Sequence, residues 1–360
     1  MQSAGKTKIL FIAPYVFDLA PGQRFRYEQY LDILKERGFR YKIVSFLSDY
    51  TNSILYDEGK KLAKITGVVS GFLRRLLLMF QLGSYDYIFV FREASPIGPP
   101  VFEWIITKIW RKRIIYDFDD AIWLPNTSEQ NKMVASIKWH HKVKSICKWS
   151  YKVSAGNRYL ADFAGQYANN VVINPTTIDT ENLHKPTPRP ANEVFTIGWT
   201  GTHSTLPYLL PILPVLDELA KKHTFKLLVI SNQPPAFERD YLQFVTWKKE
   251  SEILDLQQMD IGIMPLTDDK WAKGKCGFKA LQYMSLRIPA LISPVGVNTE
   301  IVDNGINGFL CDSEEEWKAA ISRFFEEPTL IDQMADACRK KIVDHYSVIS
   351  NTDNFLGLFQ

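Results

Sequence analysis

Short apolar runs alternate with helical stretches along this chain, and that alternation restricts it to parallel sheets covered by helices. In the first half, Ile9–Ala13, Tyr41–Phe46, Tyr87–Phe91, Arg113–Tyr116, Lys152–Ala155 and Asn170–Ile173 read as strands. Arg26–Arg37, Phe102–Trp110 and Met133–Ser150 read as helices between them. Short strands buried on both faces, with a helix in the connections, belong to a parallel sheet. A second series opens at Phe195, with strands Thr196–Trp199, Lys226–Ile230, Phe244–Thr246, Ile261–Met264 and Ala290–Ser293. Its helices are Val215–Lys222, delayed by Pro211 and Pro214, then Glu250–Gln258, Gly277–Leu286, Glu314–Phe325 and Leu330–Tyr346. Between the series, residues 184–194 hold three prolines in five positions and read as a linker. A chain of 360 residues also favours two domains over one core.

The net charge of +3 hides an asymmetry. Residues 1–180 carry 25 Lys and Arg against 16 Asp and Glu, whereas residues 181–360 carry 18 against 24. A basic half points to an anionic partner. No recognisable nucleic-acid-binding motif accompanies that charge, so an anionic lipid surface or a phosphorylated acceptor is favoured over nucleic acid. Residues 60–82 carry Arg74 and Arg75 within an apolar stretch, which leaves no run of the roughly 20 residues needed to span a bilayer. They read either as a basic amphipathic helix on a membrane surface or as a core helix with two solvated arginines. Lys108 and Arg111–Arg113 add a second basic cluster. The four cysteines are far apart and read as reduced thiols. Lys6–Pro14 reads as a buried strand, not a signal peptide. A cytoplasmic protein, or one peripheral on the inner face of the cell membrane, is expected.

Residues 273–300 run from a basic glycine loop into a short helix, a break at Pro289 and a buried strand. A helix start following Gly277 and flanked by Lys275 and Lys279 is suited to a phosphate-type anion. Gln282 lies three residues beyond Lys279, on the same helix face. A solvated amphipathic helix is the plainer alternative. The turn Gly201-Thr-His-Ser-Thr205 ends a strand and opens a helix, so Gly201, Thr202, His203 and Ser204 can approach a diphosphate or simply cap the helix. After the first strand, Gly22 leads to Arg24 and Arg26, either a clamp for an acceptor phosphate or solvated arginines. Asp117, Asp119 and Asp120 follow another strand, where Asp-x-Asp can bind a divalent cation or serve a turn. His140 and His141, among lysines, read as a solvated basic face.

The 273–300 segment resembles the donor-binding region of retaining glycosyltransferases of the GT-B fold, specifically the large family 4 (group 1). The small-residue Pro-Val strand, the glycine turn and Glu300-Ile301-Val302 carry the resemblance. The Glu-x7-Glu motif of that family falls on Gly274 and Gln282, so both glutamates are replaced. Gln282 retains hydrogen-bonding capacity towards a ribose. Gly274 has no side chain, and Asp268 or Asp269 are the nearby replacements. The resemblance implies an α/β GT-B architecture, with two Rossmann-like domains facing a cleft and a C-terminal helix crossing back to the first. Residues 1–183 with about 341–360 form the acceptor domain, and residues 195–340 the nucleotide-sugar domain.

It further implies transfer of a sugar from a nucleotide-diphospho-sugar to a cell-surface glycan or lipid-linked acceptor, retaining configuration and needing no metal. The nucleotide sugar is then a substrate, and no cofactor is expected. Gly22, Gly201, Thr202, His203, Ser204, Trp247, Lys275, Gly277, Lys279 and Gln282 are the donor-binding candidates. Arg24 and Arg26 are the acceptor candidates, and Asp119 or Asp120 the catalytic ones. Two alternatives stay open: a catalytically weak nucleotide-sugar-binding protein, or a metal-dependent transferase using Asp117 and Asp119.

Overall fold

Two parallel sheets of six strands organise the molecule, a computed structural model that describes residues 7–55, 59–125, 138–188 and 192–360. The first contains β1 (Lys8–Ala13), β2 (Arg40–Ser45), β3 (Tyr87–Phe91), β4 (Arg113–Phe118), β5 (Lys152–Ala155) and β6 (Val171–Ile173), in the order β2-β1-β3-β4-β5-β6. The second contains β7 (Phe195–Gly201), β8 (Phe225–Ser231), β9 (Leu242–Thr246), β10 (Ile261–Met264), β11 (Ala290–Ile292) and β12 (Gly308–Leu310), in the order β12-β11-β10-β7-β8-β9. The second order is that of a Rossmann sheet. Each sheet reverses direction beside its first strand, and ligands of such sheets bind at the strand C-termini next to that reversal.

The chain divides into Met1–Thr176 with Thr352–Gln360, and Thr177–Asn351. The proline-rich tract therefore lies inside the second unit, and residues 189–191 of it are outside the described residues. The final segment completes the core of the first unit. Phe355 stacks on Tyr30 at 4.2 Å between ring centroids, and Phe359 packs against Phe11, Tyr87 and Phe89. Lys152 Nζ donates to the Gly357 carbonyl at 2.6 Å, fixing the crossing segment to β5.

Several expected elements are shorter or broken. The segment 26–37 is helical only at Glu28–Tyr30 and Leu31–Glu36. The stretch after β7 is a tight 3-10 helix, His203–Ile212, before the α-helix Leu213–Ala220 begins, because Pro207 and Pro211 cannot donate within a helix. Of the expected helix 133–150, Lys142–Trp149 is helical, and residues 133–137 lie outside the described residues. His140 is half-buried, with Nδ1 3.0 Å from the Ile122 carbonyl, so the solvated reading fails for it; His141 is exposed.

The helix Lys61–Met79 contradicts both readings of its arginines. Arg75 is fully buried, and its guanidinium donates to the carbonyls of Ala13 (2.7 Å), Val44 (3.0 Å) and Ala94 (2.7 Å). Arg74 donates to the carbonyls of Ser45 (3.2 Å) and Phe46 (3.0 Å). These oxygens lie at strand C-termini or just beyond them, where a sheet leaves carbonyls unpaired and a guanidinium with five donors can satisfy several. The approach depends on Gly67 and Gly71, where a Cβ would fall 2.4 Å from Thr51 and 2.6 Å from Phe46. Both arginines point inward, whereas Leu62, Leu73, Leu76 and Leu77 point out.

Candidate functional site

In the second unit, the candidate donor residues gather at the C-terminal end of β7, beside the sheet reversal. Gly201 is packed so closely that a Cβ would lie 2.5 Å from the Trp199 ring and 2.7 Å from Thr205 Oγ1. Lys279 Nζ sits 5.3 Å from the centroid of the same Trp199 ring, within cation–π range. Lys275 Nζ stands 5.6 Å from the Tyr208 ring. Both cations are thus brought to the turn that follows β7. The helix Phe278–Ser285 opens at Gly277, whose φ of 67° is left-handed and whose missing Cβ makes room for Ile301. Glycine alone meets both conditions.

The hydroxyls of the same turn are engaged locally. Thr202 and Thr205 form a reciprocal capping box, and Thr202 Oγ1 lies 2.8 Å from Ser204 Oγ. The His203 amide donates to Asn232 Oδ1 at 2.8 Å, and the Asn232 amide lies 3.1 Å from His203 Nδ1. Asp268 pairs with Lys273 at 3.0 Å. Asp269 caps the helix Lys270–Lys273 by accepting from the amides of Trp271 and Ala272. Both aspartates are thus engaged around the short helix that Gly274 ends.

Gln282 is buried, and its amide donates to Glu252 Oε1 at 3.1 Å. Trp247 Nε1 donates to the same oxygen at 3.2 Å. Glu252 was not legible as a site residue, because its only sequence signal is an acid at a helix start. The contact also changes what a glutamate at 282 would do. Gln282→Glu sets a second carboxylate against Glu252 in a buried site, which raises the pKa of one of them. A raised carboxylate pKa penalises the fold where both groups are ionised and is relieved as pH falls. The variant should therefore melt below the parent at pH 8, with the deficit shrinking towards pH 5. An unchanged melting temperature at both pH values would remove Glu252 from contact with position 282.

In the first unit, the three aspartates separate. Asp117 and Arg26 form an ion pair with no side-chain exposure on either residue. Arg26 Nε donates to Asp117 Oδ2 at 3.1 Å, and its remaining donors reach the Asn174 carbonyl and Ser154 Oγ. Ser154 Oγ also donates to Asp117. Arg26 is thus an internal tie between the first loop and β4, β5 and the end of β6, not an exposed phosphate clamp. Arg24 is buried too, with an ion pair to Asp18 at 3.6 Å.

Asp119 and Asp120 converge on Arg92, a residue missed in the sequence. Arg92 Nε donates to Asp119 Oδ1 at 2.7 Å, and Nη2 donates to Asp120 Oδ2 at 2.6 Å. Burial alone would raise the Asp119 pKa, but the Arg92 charge and hydrogen bond outweigh it and lower it. Arg92 follows β3 with a left-handed φ of 57°, held by its amide on the Asp117 carbonyl and its own carbonyl under the Tyr116 hydroxyl. An arginine directly after a strand end of a parallel sheet was the available signal. Gly22 brings the first loop onto this cluster, since a Cβ there would fall 2.9 Å from Asp119 Oδ2. Asp117 and Asp119 serve different arginines, so the Asp-x-Asp pair does not converge as a shared metal-binding set.

Comparison with known proteins agrees with this architecture. Residues 194–327 match the family of glycosyl transferases group 1. No curated protein sequence matches the chain. Among solved structures, a glycosyltransferase from Rickettsia africae is 15% identical, with a TM-score of 0.69 and 98% of each chain covered. Sucrose-phosphate synthase from Thermosynechococcus elongatus is 12% identical, with a TM-score of 0.70 and 98% of each chain covered. HepE from Anabaena, solved with UDP-glucose, is 15% identical, with a TM-score of 0.62 and coverage of 97% of this chain and 98% of that one. The fold is therefore that of the GT-B glycosyltransferases. More particularly, the match to the group 1 glycosyl transferases falls within the second unit.

Proposed function

We propose that the protein is a glycosyltransferase moving a sugar from a nucleotide-diphospho-sugar to a glycan or lipid-linked acceptor. The observation that carries this reading is the convergence of Lys279, Gly201 and Trp199 at the sheet reversal, within the group 1 glycosyl transferase match. In this reading the start of the helix Phe278–Ser285, Lys275 and Lys279 hold the diphosphate and offset its charge as it leaves, without a metal. HepE, of similar fold, was solved with UDP-glucose, which supports a sugar diphosphate in such a unit. The bond between the anomeric carbon and the diphosphate oxygen breaks, and a bond to the acceptor oxygen forms on the same face. The acceptor proton passes to the leaving phosphate, so no carboxylate nucleophile is required and configuration is retained. Asp119, kept ionised by Arg92, and Asp120 orient acceptor hydroxyls. The net positive charge of residues 1–180 supports a position at an anionic membrane surface in this reading.

Lys279→Ala should lower nucleoside-diphosphate affinity by about tenfold or more, the worth of one charged hydrogen bond, and leave nucleoside affinity unchanged. Titration calorimetry with UDP, GDP and ADP and their nucleosides reads this directly. Equal losses for both ligand types would take Lys279 out of the phosphate site. Donor hydrolysis that persists with chelator supports metal independence, and its loss would restore the metal-dependent alternative. Donor binding without turnover would support a binding protein.

A further inference from the structure

The helix Lys61–Met79 turns its apolar side outward. Leu62, Ile65, Val69, Leu73, Leu76 and Phe80 recur every three or four residues along one face. Each is between 49% and 79% exposed. A stripe this long is far beyond the scattered apolar residues of an ordinary surface. It does not stand alone. Phe72 reaches Phe102 at 6.0 Å between centroids, which joins this helix to the one beginning at Val101. That neighbour presents exposed Trp104, Ile109 and Trp110, and the Trp110 ring lies 3.4 Å from where a Cβ on Gly83 would be, just past Phe80. An apolar groove of about 360 Å³, lined by Phe72, Ile97, Gly98, Pro99, Val101 and Phe102, runs between the two helices.

The fringe decides what this face meets. Residues 59–85 and 104–116 contain no Asp or Glu, while Lys61, Lys108 and Arg111 are exposed around the apolar area. A second copy of the chain docked symmetrically would set these cations against one another. An anionic lipid surface accepts both features, since leucines enter the acyl boundary, tryptophans sit at the headgroup level and lysines meet lipid phosphates. We infer that this face docks on an anionic bilayer by inserting the outward stripe of Lys61–Met79, with Trp104 and Trp110 at its edge. The inference rests on the peripheral placement proposed above, but not on the donor chemistry.

Insertion distinguishes this from purely electrostatic binding. The full chain should bind vesicles of phosphatidylcholine mixed with phosphatidylglycerol, and added salt should weaken binding without abolishing it. Leu73→Gln, Leu77→Gln and Phe80→Gln combined should reduce partitioning at least about tenfold, because apolar side chains no longer leave water. Circular-dichroism melting and UDP affinity should stay unchanged, since these positions are exposed. Should the triple variant melt early, Trp104→Gln with Ile109→Gln gives the same reading from the neighbouring helix. Wild-type binding that neither set of substitutions alters would overturn the insertion while leaving the peripheral placement standing. No vesicle binding by the wild type would remove both, and UDP affinity would still report on the donor reading. A dimer in light scattering that the triple substitution dissociates would assign the face to a second copy instead.

Discussion

Arg26→Ala should destabilise the protein by about 3–5 kcal/mol, because it strands the Asp117 carboxylate inside the first unit. Neither side chain of the pair is exposed, and the guanidinium also satisfies the Asn174 carbonyl and Ser154 Oγ. Asp117 would keep only neutral partners such as Ser154, too few to replace a buried countercharge. Urea unfolding followed by tryptophan fluorescence measures the loss. Adding Asp117→Asn to Arg26→Ala should recover part of it, since the double variant buries no lone charge. A single-variant loss under about 1 kcal/mol, the range of exposed ion pairs, would refute the burial of this pair.

Arg75→Glu should cost more than about 4 kcal/mol and abolish cooperative folding of the first unit. Three carbonyls, on Ala13, Val44 and Ala94, lose a charged donor at 2.7–3.0 Å, and a carboxylate takes its place among them. Burial draws the Arg75 pKa down to about 9, so the guanidinium is still charged at neutral pH. The sequence alone leaves Arg74 and Arg75 as membrane-facing or solvated cations, whose replacement should leave the fold intact and at most release the protein from vesicles. The structure gives the opposite expectation: the arginine variant loses its fold, whereas Leu73→Gln, at an exposed position, leaves stability within about 0.5 kcal/mol. Thermal melts of the two variants side by side decide the matter. An Arg75→Glu variant that melts like the parent would mean the side chain is not buried.

These arginines show why the sequence misleads at particular places. Hydropathy periodicity finds the helix 61–79 but cannot tell which face is inward when the C-terminal edge of the sheet that it covers presents bare carbonyls. Arginine satisfies such an edge better than leucine, and Gly67 and Gly71 set the helix close enough for it to reach. The same limit applies at Asp117, Asp119 and Asp120. Their position after a strand marks them as chemically important, yet their partners, Arg26 and Arg92, are 91 and 27 residues away. Gln282 is a further case. Its helix was legible from Gly277 to Leu286, but the Glu252 that accepts from its amide enters from an unrelated segment.

The sequence by itself determined the two alternating α/β series, because strand burial on both faces and helix amphipathicity are local patterns with fixed periods. It also marked the basic glycine loop before the helix Phe278–Ser285, since Gly277 is required by local backbone geometry. Tertiary structure alone decided which charges are spent inside. It decided that Phe355 and Phe359 complete the core of the first unit, and that leucines of the helix 61–79 face outward. The reason is common to all three. A side chain's environment is set by partners distant in sequence, and burying a charge or exposing a leucine is resolved only when those partners meet.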